Sequence, residues 1–138
     1  KSLTALPEWH CIMGLQFENL VLNNRKELHK LLKISPDEII CENPFFQKKT
    51  EKQAGCQIDY MIQTKFGTLY VCEIKFSKSK IDTSIIPEVQ AKIDAMNFPK
   101  GFSYRPILIH VNGITNELID KDYFSMIIDF GQFLEKLL

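Results

Sequence analysis

The stretch that decides the fold is Gly55-Cys56-Gln57-Ile58-Asp59-Tyr60-Met61-Ile62, followed after Lys65-Phe66-Gly67 by Tyr70-Val71-Cys72-Glu73-Ile74-Lys75-Phe76. Residues 56–63 and 68–76 read as two strands. The connection between them has Gly in its third place, a favoured hairpin because that place takes a left-handed backbone cheap only for Gly. With the loop centred on Phe66, Asp59 stands across from Glu73 and Gln57 across from Lys75. Side-chain alternation then puts Asp59, Glu73 and Lys75 on one face with Val71 and Leu69. Like charges directly opposed across two strands destabilise the pair. A hard divalent cation, Mg²⁺ or Mn²⁺, takes carboxylate oxygens and removes that repulsion. An ammonium beside it, Lys75, can hold an anion or an attacking water. Two acids and a lysine therefore make a minimal site for phosphoryl hydrolysis. The plainer reading has Glu73 and Lys75 as solvated residues on an exposed strand face, with the register off by one; spacing alone leaves both open.

Before the hairpin, residues 7–33 read as one long helix. Pro7 and Glu8 suit its first turn, and Trp9, Met13, Phe17, Leu20, Val21, Leu28, Leu31 and Leu32 recur at three- and four-residue steps. Ser35-Pro36-Asp37 breaks it, and a short β-prone run over 38–42 is expected to stop at Asn43-Pro44. Residues 47–55 are polar and Lys-rich and read as a surface loop. After the hairpin, residues 87–96 read as a second helix with Pro in its first turn, and residues 106–111 as a strand buried on both faces. Residues 124–128 are a further strand candidate, and Asp129 suits the cap of a closing helix whose apolar face is Phe130, Phe133, Leu134 and Leu137. The order is that of one mixed α/β domain.

Composition agrees: 138 residues, 45% hydrophobic and 25% charged, suffice for one globular core. The longest stretch without a charged residue, 106–116, is far short of a membrane span, and no signal peptide opens the chain. A cytoplasmic protein without a membrane partner is expected. The 17 basic and 17 acidic residues cancel, which argues against binding nucleic acid by bulk attraction alone. Cys11, Cys41, Cys56 and Cys72 form no CxxC pair, and His10, His29 and His110 have no metal-ligand spacing. Reduced, packed thiols and structural histidines are the reading. The chain begins at Lys1, which suggests a piece of a longer protein.

The two hairpin strands together resemble the PD-(D/E)XK nuclease superfamily, whose signature is an Asp on one strand and a (D/E)xK triplet on the next. The chain looks most similar to the nuclease-like domain C-terminal to the ATPase module of a group of prokaryotic AAA+-type ATPases, where a segment like Glu8-Trp9-His10 to Phe17-Glu18 precedes a QID hairpin and an E-x-K-x-S strand. The likeness spans about the first two-thirds of the chain. Ile58 stands where the signature has Pro, a residue that many members lack. The resemblance implies a restriction-endonuclease-like α/β core, a mixed central sheet flanked by helices, as a single domain over residues 1–138. It also implies that Asp59 and Glu73 are metal ligands, that Lys75 is the catalytic lysine, and that Glu18 of the first helix completes the metal site. Gln90, on the second helix, matches a place where many members carry a polar residue near the site. The implied activity is Mg²⁺- or Mn²⁺-dependent hydrolysis of phosphodiester bonds in nucleic acid, chiefly DNA, by a domain appended to an ATPase.

From the residues themselves, Glu18 shares a helix stripe with Leu15, Val21 and Leu22, which sets it on or beside the buried face. Lys48, Lys49 and Lys52 before the hairpin and Lys78 and Lys80 after it could pair with phosphates, although lysines in loops are usually just solubilising. A competing reading keeps the nuclease fold as an inactive module that binds nucleic acid or protein and regulates the ATPase. A third has it act only within a homo-oligomer of the full protein.

Overall fold

The computed structural model describes the backbone of residues 7–131 and the side chains of residues 13–131. The chain runs α1 (Pro7–Asn23), α2 (Arg25–Leu31), a 3₁₀ turn (Pro36–Glu38), β1 (Ile39–Gln47), β2 (Cys56–Thr64), β3 (Thr68–Phe76), α3 (Ile85–Ala95), β4 (Ser103–Val111), α4 (Asn116–Lys121) and β5 (Met126–Asp129). The strands form one sheet in sequence order. β1, β2 and β3 are antiparallel, whereas β3, β4 and β5 are parallel, joined through α3 and α4. This is the expected α/β architecture, a mixed central sheet flanked by helices on both faces.

Two apolar layers hold it together. On one face Phe17 and Val21 of α1 and Leu28 of α2 pack on Tyr60, Ile62, Cys72, Ile74, Ile107 and Ile109. On the other, Ile85 and Val89 of α3 meet Leu108, with Leu118 and Phe124 closing the cluster, and Met96 covers Ile58 and Val71. β4 is buried from Pro106 to His110, as a strand covered by helices on both sides must be. A polar network seats α2 on the first layer. His29 Nε2 lies 2.8 Å from the Tyr60 hydroxyl and 2.7 Å from Glu42 Oε2, and Arg25 Nε is 3.2 Å from Glu42 Oε1.

The hairpin register is the expected one over Tyr60↔Cys72 to Thr64↔Thr68, and Gly67 has φ +75. Three expectations are corrected, and one element is new. The long helix breaks at Asn24, whose Nδ2 donates to the Leu20 carbonyl at 2.8 Å; its side chain competes for backbone groups that would continue the ladder. β1 does not stop at Asn43-Pro44 but runs to Gln47. It is an edge strand, and Pro44 falls where the register against β2 shifts, between Asn43↔Met61 and Phe45↔Ile58, a place where no ladder N–H is needed. Gln47 is buried rather than in a surface loop. Its Nε2 donates to the carbonyls of Ala54 (2.7 Å) and Ala95 (2.6 Å), and its Oε1 accepts from Asn97 N (2.8 Å). α4 was not foreseen; it is one short helix capped by Thr115, whose hydroxyl accepts from Leu118 N. Asp129 ends β5, and its Oδ1 accepts from Gly131 N at 2.9 Å; the closing helix expected after it falls mostly outside the described residues. Trp9, His10, Phe133, Leu134 and Leu137 lie outside the residues whose side chains are described.

Candidate active site

The register shift that accommodates Pro44 also shapes Asp59. Between Met61 and Ile58, β2 spends one residue more than β1 does between Asn43 and Phe45, which is a β-bulge at Asp59-Tyr60. Past the bulge Ile58 packs with Val71 and Met96 under α3, while Tyr60 packs on the α1 side. Bulges of this kind re-aim a side chain and end pairing. Pairing of β2 with β3 indeed ends at Tyr60↔Cys72, one step short of the expected Asp59–Glu73 pair. Asp59 instead turns its carboxylate into the opening, where Oδ2 accepts from Ile74 N at 2.8 Å. Gln57 and Lys75 likewise form no ladder pair.

Glu73 follows on β3 and is 4% exposed. Burial pushes its carboxyl above the ordinary range, and the negative charge of Asp59 adds to the shift, opposed by Lys92 and Lys75. Glu18, half-buried on α1, is also raised, by burial first and then by Asp59, with Lys92 opposing. The acids predicted from sequence are thus brought into one electrostatic cluster at the gap where β2 and β3 part. Glu18 enters it from the helix layer on one face of the sheet.

Lys92 enters from the other. It is the residue that sequence reasoning missed: its Nζ lies 3.0 Å from Glu73 Oε1 and 3.1 Å from Oε2. Burial alone would lower its pKa, but the charge and hydrogen bond of Glu73, then Asp59 and Glu88, outweigh this and raise it. The signal was present in the helix pattern. Ile85, Val89, Lys92 and Met96 fall at core spacing, and a lysine in that stripe needs a buried partner.

Lys75 sits beside the cluster with its side chain 42% exposed, 3.8 Å from Glu88 Oε2. Gln90 is placed differently: exposed, its Nε2 donates to Asp94 Oδ1 and its Oε1 accepts from the Tyr123 hydroxyl, both at 2.8 Å. The structure therefore brings Glu18, Asp59, Glu73, Lys75 and Lys92 together and engages Gln90 elsewhere. An open cleft of about 520 Å³ runs between the start of β2 and α3, with Asp59 and Lys92 on its wall beside Gly55, Cys56 and Ala95. Lys48, Lys49, Lys52, Lys78 and Lys80 are exposed in the loops before β2 and after β3.

Among the described residues no three His, Cys, Asp or Glu side chains already stand as a metal cage. The donors are nevertheless of the kind that Mg²⁺ and Mn²⁺ take, carboxylate oxygens of Asp59, Glu73 and Glu18. Burial first, and the charge of Asp59 second, disfavour the ionised forms of Glu18 and Glu73, and a bound cation would offset both.

No family model and no curated protein matches the chain. Among solved structures, a repair endonuclease from Pyrococcus abyssi is similar at a TM-score of 0.49 and 18% identity, over 80% of this chain and 43% of that one. EndoMS in a complex with dsDNA is similar at a TM-score of 0.41 and 16% identity, over 76% of this chain and 44% of that one. Both likenesses are remote, and the chain spans less than half the length of either protein.

Proposed function

We propose that this domain hydrolyses phosphodiester bonds of DNA with a divalent cation held by Asp59 and Glu73, completed by Glu18. The observation that carries the reading is the β-bulge at Asp59. It ends the pairing of β2 with β3 one step before Asp59 and the buried Glu73, and the charge of Asp59 is felt both at Glu73 and at Glu18 of α1. A buried glutamate that feels the charge of a second carboxylate is a poor structural device and a good cation ligand.

A Mg²⁺ ion held there supplies a Lewis acid for the scissile phosphate and lowers the pKa of a bound water. The bond from Ile74 N fixes the direction of the Asp59 carboxylate. Lys75, on the same strand face two residues beyond Glu73, orients the attacking water or offsets the negative charge that develops on the phosphate. The lysines of the loops at 48–52 and 78–80 offer phosphate contacts on either side of the cleft. The sequence resemblance supports an ATPase module in the same longer chain as the source of further affinity, which a domain of zero net charge lacks.

Nicking of supercoiled plasmid tests this reading. Mg²⁺- or Mn²⁺-dependent nicking that is lost in EDTA and in Asp59→Asn is expected; cutting that survives in Asp59→Asn and Glu73→Gln would overturn it. The absence of a ready-made metal cage among the described residues favours one other reading, a nuclease fold that binds without cutting. That reading predicts DNA binding with no nicking at any Mg²⁺ or Mn²⁺ concentration.

A further inference from the structure

The contact between Lys92 and Glu73 is unusual for a site built on carboxylates. Glu73 is nearly inaccessible, and both of its oxygens lie within hydrogen-bond distance of one ammonium carried by a different layer of the fold. That ammonium faces the same cleft as Asp59 and interacts electrostatically with Glu18 and Asp59 as well. It stands where the carboxylate cluster directs its negative field, and neutralising a buried carboxylate is the condition for keeping it buried. Lys75 is differently disposed, more exposed and nearest Glu88.

We propose that Lys92 is a tethered counter-ion of the acidic site, holding on Glu73 the position that a divalent cation takes, so that metal and ammonium exclude one another. This rests on the reading that Asp59 and Glu73 hold a cation. A lysine on a flexible four-carbon stem can withdraw into the open cleft, where its charge is solvated. The exchange gives the domain two states: an ion-paired, metal-free state in which Glu73 is satisfied internally, and a loaded state in which Lys92 is released toward the cleft that the DNA backbone would enter. The metal-free fold is thereby spared a naked buried charge, and metal affinity is correspondingly weakened.

Calorimetric titration with Mn²⁺ tests the exchange in the wild type, Lys92→Met, Lys92→Gln and Glu73→Gln. Both Lys92 variants are expected to bind Mn²⁺ about ten-fold tighter or more, the equivalent of losing one competing charge-assisted hydrogen bond, whereas Glu73→Gln loses binding. Unchanged or weaker binding in the Lys92 variants, with wild-type binding abolished by Glu73→Gln, overturns the counter-ion proposal and leaves the cation site standing. No Mn²⁺ binding by the wild type or by either Lys92 variant overturns both. Should the variants not fold, the wild type decides. Acetylation of Lys92, followed by mass spectrometry against exposed Lys48, is expected to speed up several-fold when Mg²⁺ is added, and a Lys92 rate unmoved by saturating Mg²⁺ overturns the exchange.

Discussion

Asp59 and Glu73 are separated by a short loop in sequence and by a deliberate irregularity in space. The hairpin register could be read from Lys65-Phe66-Gly67, and with it the convergence of two acids. The bulge could not, because it answers to Pro44 on a strand that the sequence pattern ends too early. Conversion of Glu73 to Gln removes a charge but keeps the shape, so it is expected to reduce Mg²⁺-dependent nicking by more than the roughly 10–100-fold typical of a residue that only orients a ligand. Steady-state nicking rates at saturating Mg²⁺ measure it, with urea unfolding as the control for folding. Lys75→Ala is expected to lower the maximal rate while leaving Mn²⁺ affinity within a few-fold of wild type, because Lys75 acts on water or phosphate rather than on the cation. A parallel loss of Mn²⁺ affinity would assign Lys75 to the upkeep of the carboxylates instead. Lys92 shows the limit of motif reading: no signature marks it, its one trace in the sequence is a place in the Ile85, Val89, Met96 stripe, and its contact with Glu73 identifies it.

At the scale of elements, the site depends on how β1 and α3 are tied. Gln47 closes β1 by bonding to Ala54, to Ala95 at the end of α3 and to Asn97 just beyond. One side chain therefore links the edge strand, the loop before β2 and the helix that carries Lys92. Nothing in the polar composition of residues 47–55 announced this, since a buried glutamine is recognised only by its partners. Replacement by Ala leaves the Asn97 N–H and two carbonyls without their partner. A loss of about 1–3 kcal/mol in unfolding free energy is expected, read from the urea midpoint, with a loss near zero indicating that water replaces all three bonds. The break at Asn24 and the short α4 were equally illegible, each resting on a single side chain that bonds to nearby backbone. Strands and helices with clean periodicity, β2, β3, α3 and β4, were found within a few residues of their ends.

Across the whole molecule, the buried histidines set a pH dependence separate from the acidic site. Burial lowers the pKa of His110 below its ordinary value of 6.5, opposed by Asp129, and its Nδ1 is buried without a hydrogen-bond partner among the described residues. Burial likewise lowers His29, with Glu42 opposing and Arg25 adding to the shift. A depressed folded pKa means that the unfolded chain takes up the proton first, so this stability is present above pH 6.5 and drains away as pH falls through and below it. Glu18 and Glu73, raised in the fold, work in the opposite sense, the fold regaining stability as they protonate. The two contributions separate in His110→Leu, which is expected to lose less stability than the wild type between pH 7.5 and 5.5 in urea unfolding. Equal losses would mean that His110 protonates as readily in the fold as in the unfolded chain.

The zero net charge of the chain hides this arrangement, with acids gathered at the gap between β2 and β3 and lysines in the loops beside it. Whether a cation belongs in that gap is decided most directly by a crystal soaked in Mn²⁺ and measured at the manganese edge. An anomalous peak contacting Asp59 and Glu73, with Lys92 displaced from Glu73, is the predicted result. Saturating Mn²⁺ with no peak there, and Lys92 still paired to Glu73, would contradict it.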